Sequence, residues 1–259
     1  MKLCLDVGNT HIYGGVFSGD VLRLQFRHDT KQASSSDQLG LFLRSVLREN
    51  EIDPKEIIDI AVCSVVPAVD YSLRAACIKY FKKEPFFLQA GVKTGLKIKY
   101  HNPLEVGADR ISTAIAAVKQ FPNKNIIVID FGTATTCCVI TANREYCGGA
   151  IFAGMRLSME ALGSNAAKLF PVEIIKPAAT VGRTTRESLQ AGLYYAQLGA
   201  VREFIARIKK EVFANSECVV LATGGFSHLF AEEDLFTAMI PELVLFGLKT
   251  ALEMNEKIN

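Results

Sequence analysis

Residues 2–17 read KLCLDVGNTHIYGGVF, and residues 126–140 read IIVIDFGTATTCCVI. Each begins as an apolar run, ends in an aspartate, passes through D-x-G with small polar residues, and starts a second apolar run. Lys2 to Val7 predicts a short buried strand. Ile12–Phe17 and Val21–Phe26 predict two more, joined by a turn at Ser18-Gly19-Asp20. Ile126–Asp130 predicts a fully apolar strand, with Ala134–Ile140 beside it and a turn at Ala142-Asn143-Arg144. Asp6 and Asp130 stand close to half the 259-residue chain apart. A repeated strand, acidic turn and strand point to duplication of one supersecondary unit.

Helical and extended patterns alternate around these two stretches. Apolar residues at Leu39, Phe42, Leu43, Val46 and Leu47 predict a helix, with Ser and Asp at its start, after a polar loop over Thr30–Ser36. Residues 57–66 (IIDIAVCSVV) predict a buried strand stopped by Pro67. Ala68–Phe81 predicts a helix and Pro85–Leu88 a short strand. Gly107–Gln120, roughly 184–213 and Pro241–Met254 predict further helices, and Cys218–Ala222 a strand. The expected class is α/β with mixed sheets, because the first hairpin argues against a purely parallel sheet. The halves are expected as domains 1–120 and 121–259, joined near Phe121-Pro122-Asn123.

Composition narrows the function. Hydrophobic residues are 49% and charged residues 22%, which excludes a disordered chain. A net charge of +2 gives no footprint for nucleic acid or an anionic membrane. No apolar run is long enough to span a bilayer, and the N-terminus lacks a secretory pattern. Seven cysteines, without C-x-x-C spacing, suggest packed reduced thiols in a cytoplasmic protein.

The acidic turns carry the chemistry. A carboxylate at a strand end, followed by Gly, sets an acid beside exposed backbone N–H groups. Asn9 and Thr10, and Thr133, Thr135 and Thr136 in the second copy, add short donors. That set suits phosphate oxygens and a cation; two ordinary hairpins with Gly and Asp as turn residues are the plainer alternative. Walker A, dinucleotide-binding, H-E-x-x-H and G-x-S-x-G patterns are all absent. Gly107-Ala108-Asp109-Arg110 opens a helix. Its acid is either a helix-start charge or a base beside a guanidinium that grips an anion. Gly148-Gly149-Ala150-Ile151 with Gly154 precedes a helix, and Ala222-Thr223-Gly224-Gly225 follows a strand and is expected to open another. Either allows close backbone approach to a ligand or is only a tight turn.

Taken together, DVGNTHIYGGVF (6–17), CSVVP (63–67), GADR (107–110), DFGTATT (130–136), GGAI (148–151), GRTT (182–185), GLYY (192–195) and TGG (223–225) closely resemble the type III pantothenate kinases, in that family's order and over nearly the whole chain. The resemblance implies two ribonuclease H-like domains of the acetate kinase, sugar kinase, Hsp70 and actin superfamily, with ATP in the cleft. It implies ATP-dependent phosphorylation of pantothenate to 4′-phosphopantothenate, the first step toward coenzyme A. It also implies a homodimer that uses Mg²⁺ and a monovalent cation, K⁺ or NH₄⁺.

Residue by residue, the resemblance implies that Asp6, Val7, Gly8, Asn9, Thr10, His11, Ile12 and Tyr13 lie at the ATP phosphates, with Asp6 near Mg²⁺. Asp109 matches the catalytic base, and Gly107, Ala108 and Arg110 its substrate-binding neighbours. Tyr100 matches a pantothenate contact, and Thr185 another that is supplied across the dimer. Asp130 matches the monovalent-cation ligand and Thr133 an ATP contact. The chain departs from the family pattern at Ala153, where Pro is usual, and at Thr113, where Asn is frequent. A kinase of another small hydroxyl substrate, or an inactive accessory protein on the same scaffold, are the alternatives; Asp6, Asp109 and Asp130 are all present.

Overall fold

A computed structural model describes residues 1–32 and 35–256; positions 33–34 of the expected polar loop lie outside the described residues. The chain begins β1 (Lys2–Val7), β2 (His11–Ser18), β3 (Val21–Asp29), α1 (Ser36–Glu49), β4 (Asp59–Ser64), α2 (Pro67–Ala76) and β5 (Phe86–Phe87). It continues β6 (Lys97–Ile98), α3 (Ala108–Gln120), β7 (Asn125–Phe131), β8 (Ala134–Ile140), β9 (Glu145–Ala153) and α4 (Met155–Asn165). It ends α5 (Thr185–Glu211), β10 (Cys218–Thr223), β11 (Ala238–Met239) and α6 (Leu243–Asn255). Two compact units result. One holds Met1–Gly95, His101–Ala116 and the chain from Leu243 on; the other holds Leu96–Tyr100 and Ala117–Glu242. The division falls inside α3, and α6, last in sequence, packs with the first unit.

In the first unit the sheet order is β3-β2-β1-β4-β5. β1, β2 and β3 are antiparallel neighbours, and β4 runs parallel to β1. Leu3, Leu5 and Val7 of β1 face Leu39, Leu43 and Leu47 of α1 and Val69 and Leu73 of α2. Ser35 caps α1 by accepting the Gln38 N–H at 3.2 Å. On the first unit's α6 side, Phe17 meets Phe246 edge-on at 5.5 Å. Lys249 of α6 is 4% exposed, and its ammonium sits 2.7 Å from both Asp20 and Glu253, tying the β2–β3 turn to the helix. α3 crosses α6 closely enough for Ser112 Oγ to donate to the Val244 carbonyl at 2.7 Å.

The second sheet runs β11-β10-β7-β8-β9-β6. Set β6 aside and the order repeats that of the first: an antiparallel pair of hairpins (β7, β8, β9), then two strands parallel to the first of them (β10, β11). The aspartates occupy matching places. Asp6 lies opposite Cys63 on the parallel neighbour of β1, and Asp130 opposite Thr223 on the parallel neighbour of β7. One face of this sheet packs Ile127, Ile129, Phe131 and Cys137 against Tyr194, Leu198 and Val201 of α5. Tyr194, 1% exposed and stacked on Phe230 at 5.0 Å, is therefore a core residue of this unit.

Local differences from expectation have local causes. The Gly-rich run at 148–154 lies in and just after a strand, β9, whose Gly149 approaches the Cys137 carbonyl of β8 too closely for any side chain. The helix expected after Gly225 is only a 3₁₀ turn, Ser227–Phe230. The predicted 68–81 helix is α2 followed by a π-helical turn, Cys77–Phe81, that ends at Lys82 with φ 58°.

The α3–α6 crossing is testable. A Cβ on Gly247 would collide with the Ser112 carbonyl. Gly247→Ala is expected to destabilise the protein by about 1–3 kcal/mol, the usual range for overpacking, in urea unfolding monitored by circular dichroism. Gly199→Ala, in α5 with no heavy atom near its Cβ position, is expected to leave stability level or raise it.

Candidate active site

The first acidic turn is pinned from the far end of the hairpin. Gly8 donates its N–H to the His11 carbonyl at 3.0 Å. Thr30 closes over it, its hydroxyl donating to the Gly8 carbonyl at 2.7 Å and its N–H to the Thr10 carbonyl at 3.0 Å. Asn9 and His11 are exposed, and Gly8 and Thr10 half-buried. Val7 and Ile12 are core residues, which leaves only their backbone for a ligand. Tyr13 is also buried; its hydroxyl donates to Gln25 at 2.6 Å and its ring lies 4.3 Å from the Arg27 guanidinium. The sequence flagged the turn but not Thr30, whose part depends on β-strand register twenty residues away.

Asp6 sits at the end of β1. The groups packed around its carboxyl desolvate it, and the negative charge of Asp109 adds to that; together they push Asp6 up to about 7. The Cys63 thiol opposes the shift by donating to Asp6 Oδ1 at 3.2 Å. The sequence groups all seven cysteines as packed thiols; the parallel register of β1 and β4 makes Cys63 a partner of the acid. Asp109 occupies the first turn of α3, and its Oδ1 accepts the N–H of Arg110 at 2.8 Å. That oxygen lies over Gly107, where a Cβ would collide with it. The Arg110 guanidinium donates to the Glu105 carbonyl at 3.4 Å. Asp6 and Asp109, predicted from separate motifs, thus come within electrostatic reach of each other inside one unit.

The second unit carries the other candidates. Asp130 Oδ1 lies where a Cβ on Gly224 would stand, and Gly224 has φ +88°. Only glycine satisfies both conditions, so the T-G-G turn after β10 is a support for Asp130. Thr133 is exposed at the tip of the β7–β8 turn, and Thr136 is half-buried. Thr135, offered by the sequence as a ligand donor, is instead 1% exposed and donates to Gln197 at 2.9 Å. Tyr100 packs its ring over Gly148. Thr185 is the exposed first residue of α5, next to its cap Thr184, which accepts the Glu187 N–H at 3.2 Å. Thr113 is 2% exposed and donates to the Arg110 carbonyl at 3.0 Å, so the departure at this position is absorbed by the helix itself.

The donor set suits a hard cation that takes most of its oxygens from elsewhere. Among the described residues, no group of three or more His, Cys, Asp or Glu side chains is placed to hold a metal. What the first unit offers is a desolvated aspartate next to a second acid, with no basic group among the causes of its shift. Mg²⁺ is commonly bound by one or two carboxylates together with substrate phosphates and water.

This arrangement has a measurable consequence for stability. The folded-state value of Asp6, about 7, exceeds the ordinary carboxylate value of 3.8. The native protein therefore holds a proton that the unfolded chain has lost, and stability falls as pH rises from about 4 to about 7. Asp6→Asn removes that liability. Thermal melts of the ligand-free protein are expected to show Asp6→Asn several degrees above wild type at pH 8. The gap is expected to shrink toward zero at pH 4. An equal gap at both pH values would contradict the shift.

The family model for type III pantothenate kinase matches residues 2–207. A type III pantothenate kinase of Legionella pneumophila (strain Paris) is 60% identical over 255 residues, covering 98% of this chain and 99% of its own. That of Elusimicrobium minutum is 50% identical over 258 residues, covering all of both chains. Among solved structures, a Campylobacter jejuni chain described as a Baf-family transcriptional activator superposes with TM-score 0.62 at 17% identity over 98% of each chain. A Sinorhizobium meliloti chain described as a 2-dehydro-3-deoxygalactonokinase gives 0.60 at 12% identity, over 100% of this chain and 98% of its own. At such identities the superpositions speak for the fold alone, an α/β fold with mixed sheets. The sequence matches establish more: the chain belongs to the type III pantothenate kinase family.

Proposed function

We propose that this protein transfers the γ-phosphoryl group of ATP to the hydroxyl of pantothenate, giving 4′-phosphopantothenate for coenzyme A synthesis, with Asp109 as the base. The observation that carries the assignment of the base is the meeting of Asp109 with the half-buried, desolvated Asp6 in one unit. Phosphoryl transfer depends on placement and on electrostatic relief more than on covalent help. Asp109 is placed by its own helix. With Oδ1 held by the Arg110 N–H, Oδ2 is left to receive the hydroxyl proton. Arg110 supplies the cationic group that an anionic substrate such as pantothenate needs.

In the first unit the residues for the ATP phosphates are those of the turn from Asp6 to Tyr13, chiefly Gly8, Asn9, Thr10 and His11; in the second unit the residue for ATP is Thr133. Asp6 would hold Mg²⁺ in the first unit and Asp130 a monovalent cation, K⁺ or NH₄⁺, in the second; each cation, when bound, would supply positive charge to offset phosphate charge. Loss of the Asp6 proton is then coupled to binding, since a cation favours the ionised carboxylate. The residues for pantothenate are Gly107 and Ala108 in the first unit and Tyr100 in the second. Thr185, exposed at the start of α5, suits a residue offered to a second copy of the chain, and the working form proposed is a homodimer. All seven cysteines are free, which suits the cytoplasm. No helix among the described residues is long and apolar enough to cross a membrane.

A coupled ATP-consumption assay with pantothenate, run beside sugar and acetate acceptors, tests the reaction. In that assay Asp109→Asn is expected to lower kcat by about 10²–10⁴, the range for a lost general base, with ATP affinity changed by less than about twofold. Wild-type turnover in this variant would remove Asp109 from the base position. Asp130→Asn is expected to flatten the dependence of rate on K⁺ concentration. A cation-response curve that keeps its wild-type shape would assign the cation to other residues.

A further inference from the structure

We infer that Gln197, in the middle of α5, is a positioning residue that sets the shape of the β7–β8 turn for ATP. It is 5% exposed on a helix face otherwise built from Leu193, Tyr194, Leu198 and Val201. Its amide is bonded at both ends. Oε1 accepts from the Thr135 hydroxyl at 2.9 Å, and Nε2 donates to the Ala153 carbonyl at 2.6 Å. The orientation is fixed, because a carbonyl only accepts and so requires the NH₂ end. Burying an amide in this apolar face costs free energy unless both ends are paired, and here they are.

The two partners bracket the turn. Thr135 is the second residue of β8, and Ala153 ends β9 opposite Ala134. The next residue, Gly154, returns its N–H to the Thr133 carbonyl at 3.1 Å and lies too close to the Gly132 and Thr133 carbonyls to carry a side chain. A path of direct contacts therefore runs from Gln197 through Ala153 and Gly154 to Thr133, and through Thr135 to the same turn from its other side. An apolar side chain at 197 would keep the helix packed while releasing both strand ends. A loosened turn weakens a contact that depends on placement within fractions of an ångström.

This inference rests on the reading that Thr133 contacts ATP, and the experiment separates the two. Gln197→Leu and Gln197→Met are assayed by steady-state kinetics, with thermal melts in parallel. KM for ATP is expected to rise about tenfold, as for loss of a buried hydrogen bond, while KM for pantothenate changes by less than about twofold. Thr135→Val is expected to reproduce this rise. The Gln197→Leu/Thr135→Val double variant is expected to be no worse than either single, the mark of one coupled unit. Thr135→Ser, which keeps the hydroxyl, is expected to restore most of the ATP affinity. A lowered melting temperature with KM for ATP unchanged, or equal rises in both KM values, would overturn the positioning role. Thr133→Ala serves as the reference. If it leaves KM for ATP unchanged, the ATP contact itself is wrong. If it raises KM while the Gln197 variants do not, the contact stands and the positioning inference falls.

Discussion

An acid held at the end of a strand that cannot move is the constraint on which the first unit is arranged. Leu3, Cys4, Leu5 and Val7 of β1 are all fully buried, so the strand is fixed on both faces. A slip of one residue would exchange those faces, and the core forbids it. Asp6 is thereby committed to its position, where burial and Asp109 both disfavour its charge. The only hydrogen-bonding side chain among the causes of its shift is a thiol, a weak donor. A lysine in place of Cys63 would satisfy the carboxylate and also occupy the place proposed for a cation. The site is left underneutralised, and the surrounding apolar core offsets that instability.

Duplication explains why there are two such turns, and divergence explains why they differ. Both aspartates are penultimate in the first strand of their sheets, and both face a residue on the parallel neighbour. At Asp6 that neighbour strand offers Cys63 and then α2. At Asp130 it offers Thr223, buried and donating to the Pro241 carbonyl at 3.3 Å, and then Gly224, which lies against the carboxylate. The same topological position thus has a thiol and a second acid in one unit, and a glycine backbone in the other. Different environments on one inherited frame are a physical basis for assigning the two acids to different cations.

Strand register decides what the sequence shows and what it conceals. The paired D-x-G turns, the capped α1 and the apolar β7 are local patterns, and the structure contains them where the periodicity places them. β9 escaped detection because its glycines resemble a loop; their function is close approach to β8, which no periodicity reveals. Thr30 over Gly8, Cys63 on Asp6 and Gln197 on Thr135 are all contacts between residues far apart in sequence. Each becomes readable only after the strand order is known. Thr135 is the instructive case: its composition suits a phosphate donor, but alternation along β8 turns its side chain into the core while Thr133 and Thr136 remain accessible.

The last helix shows how a distant packing contact reaches the chemistry. Asp109 lies one turn before Ser112 on α3, so whatever fixes Ser112 fixes the proposed base. Ser112 is fully buried, bonded to Val244, and its carbonyl rests against Gly247 of α6. α6 is in turn fastened to the first hairpin by Lys249 and Asp20, and to β1 by Lys2 with Glu253 at 3.3 Å. A rigid helix rises only 1.5 Å per residue, so a shift at the crossing is carried to Asp109 almost undiminished. The C-terminal segment therefore belongs with the N-terminal sheet for a mechanical reason. Without it, α3 would lose the contacts at Ser112 that help to set its depth and, with it, the spacing between the carboxyls of Asp6 and Asp109.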